Sequence, residues 1–300
     1  MMRAWLEKLV LTAPPIHVNQ MKGSMMNTTR TQTTKNTLKT ILALCMTAAT
    51  LLVSAAQAAE SMTSKGKILM VAANKTQANN GWPLGVWAAE LSHPYDELTH
   101  AGYTVDIVSP EGGDLFIDPY SDPRHESAYS VNDITSLGFL SSPKTAVLLN
   151  HTPSLAHVDA KDYAAIIVAG GQSPMYTFRG NAQLQNLIAQ FYESGKPTAA
   201  LCHGVAALVD TQLSNGRYLI QGKKVTGFSL KEDQFVEQTL QTKIFDWYVE
   251  PAMKARGAKY VQGGMWADFA VADKNLITGQ QQHSGRSVAR LIIKQLQHKH

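Results

Sequence analysis

Cysteine is scarce in this 300-residue chain, which contains only Cys45 and Cys202. Because Cys45 lies in an N-terminal segment that we expect to be removed, the mature protein would keep a single thiol and could form no internal disulfide. A small secreted scaffold stabilised by disulfides is therefore excluded. A lone thiol in an oxidising compartment is exposed to oxidation, so its retention is easiest to understand if Cys202 is deeply buried or chemically used.

Charge is also sparse, since 17% of the residues are charged against 44% that are hydrophobic, which is enough apolar material for one sizeable core. The formal net charge of +4 comes from the N-terminal segment, because residues 1–58 hold six of the 27 basic residues and one of the 23 acidic residues. Residues 59–300 therefore carry 21 basic and 22 acidic residues, a formal charge of −1. Nothing in this balance indicates a nucleic-acid partner.

The N-terminal segment has the order of regions that is typical of a secretory signal peptide. Residues 36–39 form a short segment flanked by basic residues, and residues 40–56 are almost all apolar. A pattern of two small residues separated by one other residue ends at Ala58. We therefore expect cleavage after Ala58, a periplasmic or secreted mature protein, and no membrane association after cleavage. A membrane anchor is the alternative, but the apolar run is short for a span of about 20 residues. The stretch before the signal is unusual, which indicates that translation starts at Met25 or Met26.

Residues 59–300 are predicted to form a single α/β domain in which apolar strands alternate with helices. Strands are predicted at residues 67–73, 103–109, 162–169, 196–201 and 225–228, helices at 84–101, 181–194, 232–241, 250–256 and 283–295, and a hairpin at 269–278. Continuous apolar strands separated by helices indicate a mostly parallel sheet with helices on both faces. Residues 110–160 are rich in Gly, Pro, Asp and Ser and are predicted to form a long surface excursion, of the kind that often covers a site.

Cys202 lies in the sequence Ala-Leu-Cys-His-Gly, where a predicted strand runs directly into a helix. The small residues Ala200 and Gly204, two positions to either side, allow the strand and helix backbones to approach, as in the nucleophile elbow of hydrolases. This geometry would present the thiol at the carboxyl end of a strand, where open α/β sheets bind ligands. It would also place the thiol at a helix N-terminus, whose partial positive charge lowers a thiol pKa. An inert core cysteine is the alternative.

Glu90 is a candidate partner of the thiol, since it lies among apolar and small residues of a predicted helix and can face inward. A carboxyl packed against a thiol would be held protonated by desolvation, or would share a proton with the sulfur. Pro94, four residues later, leaves the Glu90 carbonyl without its helical donor and bends the segment. The alternative is a surface glutamate on an amphipathic helix.

His203 follows the candidate nucleophile, and an acid that holds its ring would complete a Cys-His-acid arrangement. Glu232 and Asp233 follow a short predicted strand and could supply that acid, although two solvated carboxylates at a helix start are a common alternative. After the third strand, Gly170 and Gly171 begin a turn whose backbone amides could form an oxyanion hole. This last signal is weak, because many strand-to-helix turns contain two glycines.

The order of these motifs resembles that of the ThiJ/PfpI superfamily, which has the class I glutamine-amidotransferase-like fold, and within it the chaperone/glyoxalase III branch. The likeness spans about residues 66–297, and the glutamate, the Cys-His turn and the Val-Thr-Gly-Phe block are fairly specific in combination. The matching segments are KILMVAA, GVWAAELSHPYDELTHAGYTVDIVSPEGG, IIVAGG, AALCHG, VTGFSLKED and MWADFAVADKNLITGQQQHSG. The resemblance implies a flavodoxin-like sandwich and a homodimer.

The resemblance also implies a role for each matching side chain. Cys202 would be the nucleophile and Glu90 the proton-transfer partner. His203 and Asp233 would complete the triad-like set, with Glu232 as the alternative acid.

The glycine turn would supply part of an oxyanion site in the same scheme. The backbone amides of Gly171 and His203 would bind the oxyanion, in a turn that Gly170 begins and Gln172 continues. Gln172 departs from the pattern, because members of this branch usually have a histidine at that position. The departure bears on substrate choice and on rate.

The resemblance implies glutathione-independent conversion of a 2-oxoaldehyde, such as methylglyoxal, to a 2-hydroxy acid, without a metal or an organic cofactor. Cys202 would add to the aldehyde, Glu90 would move a proton between the two carbons, and water would release the acid. An exported holdase chaperone with Cys202 as a redox sensor is one alternative, and a hydrolase acting on amides or peptides is another. His93 and Glu97 could contact a metal on one helix face, but a polar helix side explains that pair better.

Overall fold

The computed structural model describes residues 64–298, so the predicted signal peptide lies outside the described residues. Within this range the chain forms ten strands and nine α-helices, together with short 3-10 turns. The strands are β1 (Lys67–Val71), β2 (Thr76–Gln77), β3 (Pro83–Leu84), β4 (Thr104–Val108), β5 (Ala165–Val168), β6 (Thr198–Leu201), β7 (Lys224–Val225), β8 (Lys259–Tyr260), β9 (Ala270–Asp273) and β10 (Leu276–Gly279).

Six of these strands form one sheet in the order β4-β1-β5-β6-β10-β9. Neighbouring strands are parallel except for β9, which pairs antiparallel with β10 in the predicted hairpin. The predicted mostly parallel sheet is therefore confirmed. Because Val168 of β5 lies beside Ala200 of β6, the residues that follow these two strands emerge next to each other at the carboxyl edge of the sheet.

Helices cover both faces of the sheet, as predicted. They are α1 (Ala88–His100), α2 (Ile134–Ser141), α3 (Pro143–Ala146), α4 (Pro174–Thr177), α5 (Ala182–Glu193), α6 (Ala206–Val209), α7 (Leu230–Leu240), α8 (Val249–Ala255) and α9 (Gly285–Gln297). Alternate strand residues point to opposite faces. Ile68 and Met70 of β1 therefore join the core that includes side chains of α1 and α9, whereas Leu69 and Val71 join the core that includes side chains of α5, α6 and α8.

The longest helices, α1 and α9, have 13 residues each, whereas a membrane span needs about 20. None of the helices within residues 64–298 combines the length and the apolar character that a membrane crossing requires.

Residues 110–160 differ from the predicted surface excursion, because part of this stretch is helical and packs into the core. Asp133 begins α2 by accepting a 3.0 Å hydrogen bond from the backbone N–H of Ser136. Phe139 and Leu140 of α2 are buried. The helix has the sequence ITSLGFLS, in which Gly, Ser and Thr weaken the helical signal, so tertiary packing rather than intrinsic propensity stabilises it.

Candidate active site

Cys202 lies at a sharp turn between β6 and α6. Its backbone φ is +54°, in the left-handed region that is strained for a residue other than glycine. A Cβ at Gly204 would lie 2.6 Å from the Ala169 carbonyl oxygen, so only glycine lets the turn pack against the end of β5. The chain continues through a 3-10 turn, Cys202–Val205, into α6. The turn holds the nucleophile candidate at the carboxyl edge of the sheet, with 4% of the residue exposed.

Glu90 lies in the first turn of α1 and is completely buried, so it does not occupy a solvent-facing helix surface. Its Oε2 accepts a 2.8 Å hydrogen bond from the backbone N–H of Gly170. Its Oε1 is buried and has no hydrogen-bond partner among residues 64–298. The neighbouring Cys202 thiol interacts with the carboxyl and lowers its pKa, against the larger effect of burial.

Burial shifts the pKa of both members of this carboxyl–thiol pair upward. Loss of water raises the pKa of Glu90 from an ordinary 4.5 to about 8, and the contacts with Cys202 and with the N–H of Gly170 offset only part of this effect. Burial also raises the pKa of the Cys202 thiol, and the charge of Glu90 raises it further, while the N–H groups of Gly171 and His203 oppose both. The predicted lowering of the thiol pKa is wrong, because α6 is short and desolvation outweighs its N-terminus.

His203 and Asp233 form a buried hydrogen-bonded pair beside the thiol. His203 Nε2 and Asp233 Oδ1 lie 2.9 Å apart, and the two residues are 4% and 1% exposed. The other ring nitrogen, Nδ1, is 4.0 Å from Cys202 Sγ, which is long for a hydrogen bond. The ring of Phe228 packs on the imidazole with centroids 4.3 Å apart. The acid and the aromatic ring together fix the orientation of the imidazole next to the nucleophile candidate.

Glu232, the alternative acid, is engaged elsewhere. It forms a capping box with Ser229 at the start of α7, in which its Oε2 accepts a 3.0 Å hydrogen bond from the Ser229 N–H. Its Oε1 accepts 2.9 Å hydrogen bonds from the Trp266 backbone N–H and the Gln280 side-chain amide. The Ser-x-x-Glu spacing is a readable capping signal in the sequence, and it indicates that Glu232 closes the helix start while Asp233 faces His203.

The turn after β5 directs the backbone N–H of Gly171 to the thiol and requires glycine at its centre. Gly171 has a φ of +105°, and a Cβ there would lie 2.5 Å from the Gly85 carbonyl oxygen. The backbone N–H groups of Gly171 and His203 both act on the Cys202 sulfur. Gln172 follows in the turn and lines the pocket in front of the thiol. Two backbone N–H donors therefore act at the sulfur, and they could also bind an oxyanion on a substrate attached there.

Asp118 is a buried residue of the site that the sequence analysis missed. Its Oδ1 accepts a 2.9 Å hydrogen bond from the Gly85 N–H, and its Oδ2 accepts a 3.1 Å hydrogen bond from the Gln172 N–H. It thereby joins the segment before α1 to the glycine turn. Burial raises the pKa of Asp118 to about 6, although the two N–H donors oppose the shift. Nothing in its local spacing links it to Cys202.

A pocket of about 250 Å³ opens in front of the thiol, and most of its wall is aromatic. Its base contains Cys202, His203, Gly171 and Gln172. The wall includes Trp87, Tyr120, Tyr129, Phe228, Phe245 and Trp266. None of these aromatic residues is predicted from the sequence to belong to the site, because a single Trp, Tyr or Phe cannot be distinguished from a core residue by its neighbours in sequence.

His93 and Glu97, the pair considered for a metal, have other partners. His93 Nε2 is 2.9 Å from Asp133 Oδ1, and Glu97 forms ion pairs with Arg286 and Arg290. In the part of the chain that the structure describes, no three or more His, Cys, Asp and Glu side chains are grouped so that they could hold a metal ion. These two residues connect α1 to the start of α2 and to α9.

This geometry supports nucleophilic addition to a small electrophile. The Cys202 thiol can attack, and the Glu90 carboxyl, with a pKa of about 8, can take or return a proton next to the sulfur. The converging N–H groups can stabilise an oxyanion. The pair of His203 and Asp233 can activate a water molecule for a hydrolytic step.

Comparison of the sequence with known families and proteins agrees with this chemistry. The profile of the DJ-1/PfpI family matches residues 84–295. The chain is similar to the glutathione-independent glyoxalase HSP31 of Saccharomyces cerevisiae, with 29% identity over 221 residues that cover 70% of this chain and 89% of that protein. It is also similar to the glutathione-independent glyoxalase hsp3101 of Schizosaccharomyces pombe, with 28% identity over 255 residues that cover 78% of this chain and 97% of that protein.

Solved structures show the same similarity at the level of the fold. The Rapid Encystment Protein 24 KDa of Francisella tularensis superposes with a TM-score of 0.68 at 32% identity, covering 77% of this chain and 99% of that chain. Glyoxalase III from Candida albicans superposes with a TM-score of 0.63 at 23% identity, covering 77% of this chain and 97% of that chain. At that identity the second likeness concerns the fold alone. Both agree with the predicted α/β fold.

Proposed function

Since this chain belongs to the DJ-1/PfpI family, we propose that it is a glutathione-independent glyoxalase, which converts a 2-oxoaldehyde such as methylglyoxal to a 2-hydroxy acid. The curated relatives of this name support the proposal. The observation that carries it is the completely buried Glu90 carboxyl beside the Cys202 thiol, with a pKa raised to about 8. A proton shuttle near neutrality, next to a nucleophile, is what internal hydrogen transfer between two carbons requires.

In the first step, the Cys202 sulfur forms a bond to the aldehyde carbon, and the thiol proton passes to the aldehyde oxygen through Glu90. The product is a hemithioacetal. During the addition, negative charge develops on the oxygen, and the backbone N–H groups of Gly171 and His203 stabilise it. Cys202 takes the role that a free thiol such as glutathione would otherwise have, which explains why no thiol cofactor is needed.

In the second step, the Glu90 carboxylate removes the hydrogen on the former aldehyde carbon as a proton and forms an enediol. Return of this proton to the neighbouring carbon, together with transfer of the hydroxyl proton from the former aldehyde oxygen to the former ketone oxygen, gives a 2-hydroxy thioester on Cys202. His203, whose ring is oriented by Asp233, then activates a water molecule. The water attacks the thioester carbon, the carbon–sulfur bond breaks, and the acid and the Cys202 thiol are released. One carbon is oxidised while its neighbour is reduced, so only water is consumed and no external oxidant takes part.

The test is conversion of methylglyoxal to lactate by the purified protein without glutathione, compared with the variants Cys202→Ser and Glu90→Gln. We expect both variants to lose at least about 100-fold in kcat, since each removes a group that acts on the reacting atoms. Glu111→Gln is the matched control, because Glu111 is exposed and lies outside the pocket, and it should retain wild-type turnover. Retained lactate formation in either active-site variant would refute the assignment.

The same variants separate the two alternative functions. A holdase should protect unfolded clients equally well with and without the Cys202 thiol. A cysteine hydrolase would use the same pair of His203 and Asp233, so Cys202→Ser would inactivate it, but it would cleave amide substrates and leave 2-oxoaldehydes unchanged.

We further propose that the protein is exported and acts as a homodimer. The pattern of residues 36–58 supports export, and the family resemblance supports the dimer. N-terminal sequencing of the mature protein should begin at Ala59, and light scattering should give twice the mass of one chain. An intact N-terminus in the exported fraction, or a monomeric mass, would contradict the corresponding proposal.

A further inference from the structure

The pocket in front of Cys202 is larger than the smallest 2-oxoaldehydes require. Its volume is about 250 Å³, whereas a single water molecule needs roughly 10–15 Å³ of such space. Methylglyoxal has only five non-hydrogen atoms. With its aldehyde carbon at Cys202 it would leave much of this volume to solvent, so the size of the site fits a larger substrate.

Two groups of aromatic rings line this pocket. In one group, Trp87 and Tyr120 each contact Tyr129 edge to face, with centroids 6.2 Å apart in both pairs. In the other group, Trp266 contacts Phe235 at 5.9 Å and Phe228 at 5.8 Å. All six side chains line the pocket. Rings in such groups offer faces and edges to a flat apolar substituent, which they would desolvate.

The charge of the pocket points in the same direction. None of the described residues that line it is Lys or Arg, and Asp233 is its only Asp or Glu. An anionic substituent placed here would lose water without gaining a cationic partner and would lie near a carboxylate. The lining therefore disfavours substrates that carry a carboxylate or a phosphate far from the aldehyde.

We propose that the preferred substrates are 2-oxoaldehydes that carry an uncharged aromatic or bulky apolar substituent, which lies between the two aromatic groups while Cys202 holds the aldehyde carbon. This inference rests on the proposed glyoxalase function. The reaction keeps its balance, because the aldehyde carbon becomes a carboxylic acid, the adjacent ketone becomes an alcohol, and one water is added. For phenylglyoxal, the simplest probe of this class, the product is mandelate.

The experiment compares kcat/KM of the full-length protein for phenylglyoxal, methylglyoxal and 4-carboxyphenylglyoxal. We expect phenylglyoxal to exceed methylglyoxal by about tenfold or more, since a single methylene in an apolar pocket changes kcat/KM by roughly tenfold or more. The carboxylated ring should be at least about tenfold worse than the plain ring. If methylglyoxal is turned over equally well or better, the inference fails and the glyoxalase function stands. If none of the three is turned over, the function itself fails.

A wall variant tests whether the substituent lies where we place it. Phe235 is 48% exposed, so Phe235→Ala should fold normally while it removes part of one aromatic group. We expect kcat/KM for phenylglyoxal to fall at least about fivefold and that for methylglyoxal to change less than about twofold. Val147→Ala, at an exposed apolar residue outside the pocket, is the control and should change neither. An equal loss for both substrates in Phe235→Ala would overturn the placement.

Discussion

Replacing Glu90 by glutamine should change how the stability of the protein depends on pH. A carboxyl whose pKa is about 8 in the folded protein and 4.5 in the unfolded chain holds its proton more tightly when folded. The contribution of Glu90 to the wild-type free energy of unfolding is therefore largest below about pH 4.5 and is lost as the pH rises toward 8. Glutamine does not ionise, so the variant lacks this loss. Its side-chain oxygen can still accept the hydrogen bond from the Gly170 N–H.

The size of the effect follows from the two pKa values. One pKa unit corresponds to about 1.4 kcal/mol. Between pH 5 and pH 8, the wild-type protein should lose about 3 to 4 kcal/mol of stability through Glu90. No reduction for solvent screening applies, because the residue is completely buried. Any packing cost of the glutamine amide is the same at both pH values, so it cancels from this difference.

Urea denaturation at pH 5 and pH 8 measures the effect, and the upper limit stays below the titration of an unfolded cysteine. The stability of Glu90→Gln relative to wild type should increase by about 3 to 4 kcal/mol between the two pH values. Glu111→Gln, at an exposed glutamate, should follow the wild-type profile. If the free energies of unfolding of wild type and Glu90→Gln change in parallel with pH, burial does not raise the pKa of the Glu90 carboxyl. Glu90 would then not be suited to shuttle a proton near neutral pH.

Three further predictions concern activity and folding. The kcat/KM for a 2-oxoaldehyde should rise between pH 7 and pH 9 with an apparent pKa near 8, because Glu90 must be ionised to remove a carbon-bound proton. A kcat/KM that does not change over this pH range would contradict the role of Glu90 as the base. Asp118→Asn keeps only one good acceptor for the two N–H groups that Asp118 binds. We therefore expect kcat/KM to fall about tenfold or more and the free energy of unfolding in urea to fall by about 1–3 kcal/mol. Unchanged kinetics would show that these hydrogen bonds do not position the glycine turn for catalysis. Gly171→Ala should abolish activity or soluble expression, since the added Cβ has no space. Gly180→Ala is the control and should behave as wild type, because no atom lies within 4 Å of the added carbon. An active Gly171→Ala enzyme would refute the tight turn.

The sheet and the nucleophile turn were predictable because their signals are local. Each central strand is a continuous apolar run, which is typical of a parallel sheet buried on both faces. The turn at Cys202 needs small neighbours, and Gly204 stands against the Ala169 carbonyl as such a turn requires. In both cases the residues that carry the signal lie close together in sequence, although Ala169, the neighbour that restricts position 204 to glycine, lies 35 positions away.

Asp118 and the aromatic wall could not be predicted for the opposite reason. Asp118 is 33 positions from Gly85 and 54 positions from Gln172, and its role exists only once the fold brings those backbone N–H groups to it. The choice between Glu232 and Asp233 is intermediate. Adjacent residues on a helix point about 100° apart, so only one of them can face His203. The capping box settles which one, since it occupies Glu232.

The raised pKa values at the site bear on how a protein that we propose to be exported can keep a single reactive cysteine. The thiolate is the form that oxidants and electrophiles attack, and burial keeps the Cys202 sulfur protonated at rest; once Glu90 ionises, its charge opposes loss of the thiol proton further. In the proposed reaction, the proton leaves only as a substrate carbon approaches, when Glu90 relays it to the aldehyde oxygen and the N–H groups of Gly171 and His203 stabilise the developing charge. In this scheme Cys202 becomes nucleophilic only when a substrate is bound, because no thiolate is present in the resting site. Deep burial and chemical use, which the sequence presents as alternative explanations for a lone thiol, are therefore compatible: Cys202 is 4% exposed, and in the proposed reaction it is also the nucleophile.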